Sequence, residues 1–212
     1  MEGKKMEMRY TRVSWADVVE AAAKLLLALM YAVFLYVFMS NFVEHQKLSS
    51  LLFAMVESLF VYMSITRRPP VALSTSGLAW LLAFAGTFAP LFLHPSTSAD
   101  SVAGDVIQVA GILLVGFSIG SLGRSFGLVA ANRGVVITGM YRYVRHPLYM
   151  AYFVNIAGFL INHVSAYNVV LVVVLAIVQL ARIHYEEKLL RKDPAYARYA
   201  DRVRWRLVPY VL

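Results

Sequence analysis

The chain of 212 residues has no cysteine, a net charge of +8 and 60% hydrophobic residues, with a mean hydropathy of +0.64. That apolar share exceeds an ordinary soluble domain's and marks an integral membrane protein, while the missing cysteines exclude disulfides, thiolate metal sites and cysteine nucleophiles. The basic residues lie beside apolar runs, where they mark cytoplasmic flanks and contact with anionic membrane lipids; no soluble, stacking-rich module is left for nucleic acid.

A helix needs about 20 apolar residues to cross a bilayer core. In chain order, Ala21 to Phe42, Leu48 to Ile65, Gly77 to Leu93 and Val102 to Leu122 qualify. Ser14 and Asp17 are placed to cap the first of these, with Trp15 at the interface. A fifth run, Leu148 to Ile161, is short, and Asn162-His163 separates it from a sixth, Val164 to about Arg182, so the two read as a helical hairpin. Nineteen of the twenty basic residues fall on one side of this arrangement, with only Lys47 opposite. The positive-inside rule then gives an all-α, six-span protein with both termini cytoplasmic. The first run is too long and aromatic for a signal peptide, so it is expected to remain in the mature protein.

Polar chemistry is unevenly spread along the chain. Residues 1–122 read as a four-span scaffold, whereas 123–212 hold a basic loop, the hairpin and a charged tail that meet on the cytoplasmic face. The final DRVRWRLVPYVL mixes arginine with Trp205 and Tyr210 and reads as a strip at the interface. In the loop, GMYRYVRHPLYM sets Arg142, Arg145 and His146 against Pro147. Gly139 and Pro147 punctuate the backbone, so Tyr141 to His146 form a constrained turn; Arg145 offers a planar fork for a carboxylate, and His146 can change protonation near neutral pH. A plain reading of the same residues is a topological flank.

Further along, IHYEEKLL puts Glu186 and Glu187 at the end of the sixth span, about 100° apart on the helix, so that one faces inward. Acids there oppose the helix dipole and invite a cation, either Arg182 or a cationic ligand. Glu57, mid-way along the second span, is an ionisable group at membrane depth, readable as functional or as a protonated acid bonded to Ser58 or Tyr62. Gln108, Asn155 and Gln179 are read as ties between helices, and Gly116 with Gly120 as a close-packing pair. The chain holds no HExxH, Walker A or GxGxxG pattern, and no metal site is expected.

The series LGRSFG, GMYRYVRHPLY, a hairpin, EE and PAYARY resembles the membrane-embedded methyltransferases that include isoprenylcysteine carboxyl methyltransferases and phospholipid N-methyltransferases. The resemblance runs from about Gly120 to Leu212. It implies S-adenosylmethionine held by Gly139, Tyr141, His146, Pro147, Tyr149, Glu186 and Glu187, with Arg145 facing a lipophilic acceptor that enters from the bilayer. His146 is the nearest base for an amine or thiol acceptor; a carboxylate acceptor needs none. One departure is Met150-Ala151, where many relatives carry glycine, and a methyl group there narrows the cofactor's approach. Three alternatives stand beside a prenylated carboxylate acceptor: an aminophospholipid or small thiol, an NADPH-dependent membrane reductase, and a non-enzymatic transporter or scaffold.

Overall fold

The computed structural model describes residues 15–46, 48–94 and 101–209. Ser14, Lys4, Lys5, Arg9, Arg12, Lys47 and Tyr210 lie outside them. Seven α-helices are found among the described residues: α1 (Trp15–His45), α2 (Leu48–Thr66), α3 (Gly77–Phe88), α4 (Val102–Leu122), α5 (Pro147–Asn162), α6 (Ala166–Leu190) and α7 (Pro194–Arg202). The protein is all-α apart from two-residue strands β1 (Ala72–Leu73) and β2 (Ala131–Asn132), paired antiparallel with Ala72 opposite Asn132.

Three helical segments are long and apolar enough to cross a membrane by length and composition: Val18–Glu44, Val102–Ser125 and Ala166–Leu190. The apolar helices Leu51–Thr66, Gly77–Phe92 and Pro147–Asn162 are shorter. The outer faces of the three longer segments carry exposed Leu26, Tyr36, Phe117 and Ile177, a surface suited to hydrocarbon and not to water. The third run is not one α-helix to Leu93 as expected. It is capped by the Ser76 side chain, ends as α-helix at Phe88 and tightens into a 3-10 turn over Ala89–Phe92, where Pro90 lacks the N–H that the ladder requires.

Helix pairing departs from the sequence reading. Helices α5 and α6 are consecutive, joined through His163 to Ser165, but α5 packs mainly along α4, and α6 along α3. Glycine explains the first pairing. A Cβ on Gly111 would run into the Asn155 backbone, one on Gly104 into the Asn162 side chain, and one on Gly158 into the Gln108 backbone. Gly116 and Gly120, expected to be the close-packing pair, have almost nothing against them.

Polar ties then lock the antiparallel pair. Asn155 Nδ2 donates to the Gln108 carbonyl at 3.1 Å, and Asn162 Nδ2 to Asp105 at 2.9 Å. Gln179 donates to the Gly86 carbonyl at 3.1 Å and so joins α6 to α3. Asn155 and Gln179 are therefore the expected ties, whereas Gln108 takes part through its backbone. Helices α1 and α2 meet through stacked rings, Tyr31 on Phe60 and Phe38 on Phe53, each with centroids 4.7 Å apart. Because α5 leans on α4 and α6 on α3, a space is left among α1 to α6 that opens toward the basic loop.

Candidate functional site

That space is a cavity of about 610 Å³. It is lined by residues of α1, α2 and α4, with Tyr31, Phe34, Phe60 and Ile112 among them, and by the segment after α4 that includes Phe126 and Arg133, the motif loop, α5, α6 and α7. The volume falls within the ~300–1,000 Å³ usual for small-molecule sites.

The motif loop is fixed on both sides. Gly139 has φ 59°, a left-handed conformation, and a Cβ there would strike Ser121 at the end of α4, which excludes other residues twice over. The Met140 N–H donates to Ser121 Oγ at 3.3 Å, and the Tyr199 hydroxyl donates to the Tyr141 carbonyl at 2.7 Å. Pro147 is the first residue of α5, where its missing N–H is no loss.

Glu187 organises the next layer. It is 5% exposed, and its Oε1 accepts from Arg145 Nε at 2.6 Å and faces His146 Nε2 at 3.2 Å. Its Oε2 lies 3.3 Å from Arg206 and 3.8 Å from Arg191. An ionised carboxylate can only accept, so His146 Nε2 carries a proton, and in the uncharged tautomer the lone pair is on Nδ1. Arg145 Nη1 donates to the carbonyls of Ala200, Val203 and Arg204 at 2.9–3.2 Å, a cation closing the C-terminal end of α7. The Arg145 and His146 N–H groups donate to the carbonyls of Trp205 and Arg206 at 2.9 and 2.8 Å. The tail read as an interfacial strip is bonded, through residues 200–206, to the back of the motif.

Glu186, one position on, faces the cavity and accepts from the Tyr149 hydroxyl at 3.0 Å. Arg182, expected to compensate it, donates to Gln179 and to the Leu128 carbonyl, with its guanidinium carbon 5.4 Å from the Tyr149 ring centre. Of the residues singled out in the sequence, Tyr141, Arg145, His146, Tyr149 and Glu186 line the cavity, and Gly139, Pro147 and Glu187 stand behind it. Ala151 is fully buried in the core shared with α1, α2 and α4 and is not among the residues that line the cavity. Glu57 also lines the cavity. It is 8% exposed, and its Oε2 has no partner; Ser58, a proposed partner, donates to the Met55 carbonyl.

Sequence reasoning missed Tyr196, Tyr199 and Arg133, all on the cavity wall. Burial, with the nearby Glu186 and Glu187 as further causes, raises the Tyr196 phenol well above its ordinary range, so it stays protonated; its hydroxyl is buried without a partner. Tyr141 is raised in the same way, by burial first and the Glu186 charge next. PAYARY was visible as a motif, yet nothing in it said that Tyr196 reaches the cavity.

Residues 106–192, from α4 through the motif loop to the end of α6, match the family model described as isoprenylcysteine carboxyl methyltransferase (ICMT) family. The match begins earlier than the resemblance read from the motifs and ends before α7. No curated protein matches the chain.

Proposed function

We propose, from the match of residues 106–192 to the isoprenylcysteine carboxyl methyltransferase family model, that this protein moves a methyl group from S-adenosylmethionine to a lipophilic acceptor reaching the cavity from the bilayer. The acceptor type nearest to the family is a prenylated carboxylate. The observation that carries the reading is that one cavity is lined both by aromatic side chains of membrane helices and by the polar groups of the motif.

The wall fits a donor of this chemistry. Glu186 supplies an anion and Tyr149, Tyr152 and Tyr141 supply rings, the surroundings that favour a sulfonium cation, while the unpartnered Tyr196 hydroxyl is available to a polar ligand atom. When bound, S-adenosylmethionine supplies an electrophilic methyl group and needs no metal. The chain's part is to hold both reactants in line and keep water out, which accounts for most of the acceleration such a displacement requires. The aromatic wall formed by Tyr31, Phe60 and Phe126 is apolar enough for a lipid chain and excludes water from that side. A carboxylate acceptor arrives ionised; an amine or thiol gives up its proton to His146 Nδ1, the ring nitrogen that Glu187 leaves free. Arg145 acts as a positioning residue, holding Glu187, His146 and the tail in one arrangement.

In this reading all six apolar helices cross the bilayer, the short ones because protein covers their ends, and the motif face and both termini are cytoplasmic. The test is incubation of purified protein with methyl-labelled donor and a lipid extract, followed by identification of the labelled product. A labelled prenylated methyl ester is expected; label on an aminophospholipid or a thiol would move the acceptor class. Thermal stabilisation by NADPH with none by S-adenosylhomocysteine would replace the methyltransferase with a reductase, and stabilisation by neither would favour a transporter or scaffold.

A further inference from the structure

Arg133 lines the cavity, is 6% exposed, and two of its guanidinium nitrogens, Nε and Nη1, are buried with no hydrogen-bond partner. A buried guanidinium left unpaired is costly, so a fold that keeps one is holding it for a counter-ion. Its backbone is fixed. Asn132, just before it, sits in the β1–β2 pair, accepts from the Gly134 N–H at 3.0 Å and donates to Asp193 at 2.7 Å. Gly134, just after it, turns at φ 99°. The side chain lies along Gly127, where a Cβ would come within 3.5 Å of its Nε and Cζ.

Among the described residues, the carboxylate nearest in charge to Arg133 is already taken. Arg67, also buried, donates to Glu20 at 3.1 Å, and that carboxylate is thereby engaged. Burial first, then the Arg67 charge, hold the Arg133 pKa down to about 10, with Glu20 opposing. At neutral pH the guanidinium is still charged, and among the described residues no carboxylate pairs with it.

We propose that Arg133 is an anion-binding residue of this cavity, taking an anionic carboxylate of the ligand that occupies it. The proposal rests on the methyltransferase reading for the two sources of that carboxylate, the amino-acid end of the donor or the acceptor itself. A carboxylate is the anion a guanidinium pairs with best, supplying both a countercharge and hydrogen-bond acceptors for the unpartnered nitrogens.

The test uses the full chain in detergent, as wild type, Arg133→Met and Arg133→Lys, with binding measured by calorimetry. The probes are S-adenosylhomocysteine, 5′-methylthioadenosine, which lacks the amino-acid carboxylate, and a prenylcysteine acid with its carboxamide. If the donor supplies the anion, Arg133→Met weakens S-adenosylhomocysteine about ten-fold or more and leaves methylthioadenosine unchanged. If the acceptor supplies it, the prenylcysteine acid weakens by a similar factor and the carboxamide does not. In either case Arg133→Lys recovers part of the loss, and ligand-free Arg133→Met melts no lower than wild type, because an unpaired charge has been removed. Unchanged affinity for both acids in folded Arg133→Met overturns the proposal, as does a lower melting temperature with unchanged affinities, which would make the arginine purely structural. Should wild type bind neither nucleoside probe, the methyltransferase reading fails on its own, while the acid and carboxamide pair still decides the arginine.

Discussion

Replacing Glu187 by glutamine separates support from binding at the adjacent acids. In wild type the carboxylate accepts from Arg145 at 2.6 Å, faces His146 at 3.2 Å and is approached by Arg206 and Arg191. Glutamine keeps one acceptor oxygen but removes the charge, and its NH₂ group points a donor at neighbours that are themselves donors. Arg145 retains its three carbonyl partners, so the loss is smaller than the ~3–5 kcal/mol of breaking a buried pair outright and closer to one charge-assisted bond, about 2–3 kcal/mol. For a chain of this size that lowers the melting temperature by roughly 5–10 °C. Glu186→Gln changes a cavity-lining carboxylate whose one hydrogen bond is to Tyr149, so its melting temperature should move by less than about 2 °C while S-adenosylhomocysteine affinity falls about ten-fold. Thermal unfolding and calorimetry on the same detergent preparations give both readouts. If Glu187→Gln keeps the wild-type melting temperature and loses only ligand binding, the division drawn between the two acids is wrong.

Arg145→Lys keeps one positive charge but cannot reach Glu187 and the carbonyls of Ala200, Val203 and Arg204 together, so the tail should loosen; limited proteolysis after residue 190 should quicken and turnover fall at least about ten-fold. Gly158→Ala drives a methyl group into the Gln108 backbone and should cost about 1–3 kcal/mol, whereas Gly120→Ala meets nothing and should be neutral or stabilising by up to ~1 kcal/mol, both read by thermal unfolding. The hydrogen bond from Asn132, and then that from the Ala195 N–H, hold the Asp193 carboxyl below the usual carboxylate range. A depressed folded-state pKa stabilises above the unfolded value of about 3.9 and is lost as pH falls through the folded value, so the stability gap between wild type and Asp193→Asn should be constant above about pH 5 and shrink below about pH 4. Reporters fused at the N-terminus and after Leu212 should both register cytoplasm; a C-terminal reporter on the opposite side would refute the six-span reading.

Apolar runs, basic flanks and the motif series were legible in the sequence because each is local. Hydropathy depends on consecutive residues, and Gly139, Pro147 and the capping Ser76 and Ser165 act on their own neighbours. Those features determined an all-helical membrane chain with six apolar helices and located the motif series. Which helix lies against which was decided only in three dimensions: Gly104, Gly111 and Gly158 draw α5 onto α4, although Gly116 and Gly120 carry the more familiar spacing, because a glycine permits close approach only where a partner glycine or backbone arrives opposite it. The two adjacent glutamates show the same limit. Their spacing gave the angle between them and nothing about which one Arg145 would meet; the fold of the tail back under the motif put Glu187 in the support and Glu186 on the cavity wall. Arg133 counted in the sequence only as a basic flank, since burial without a partner is a property of the packed surroundings and leaves no mark in the order of residues.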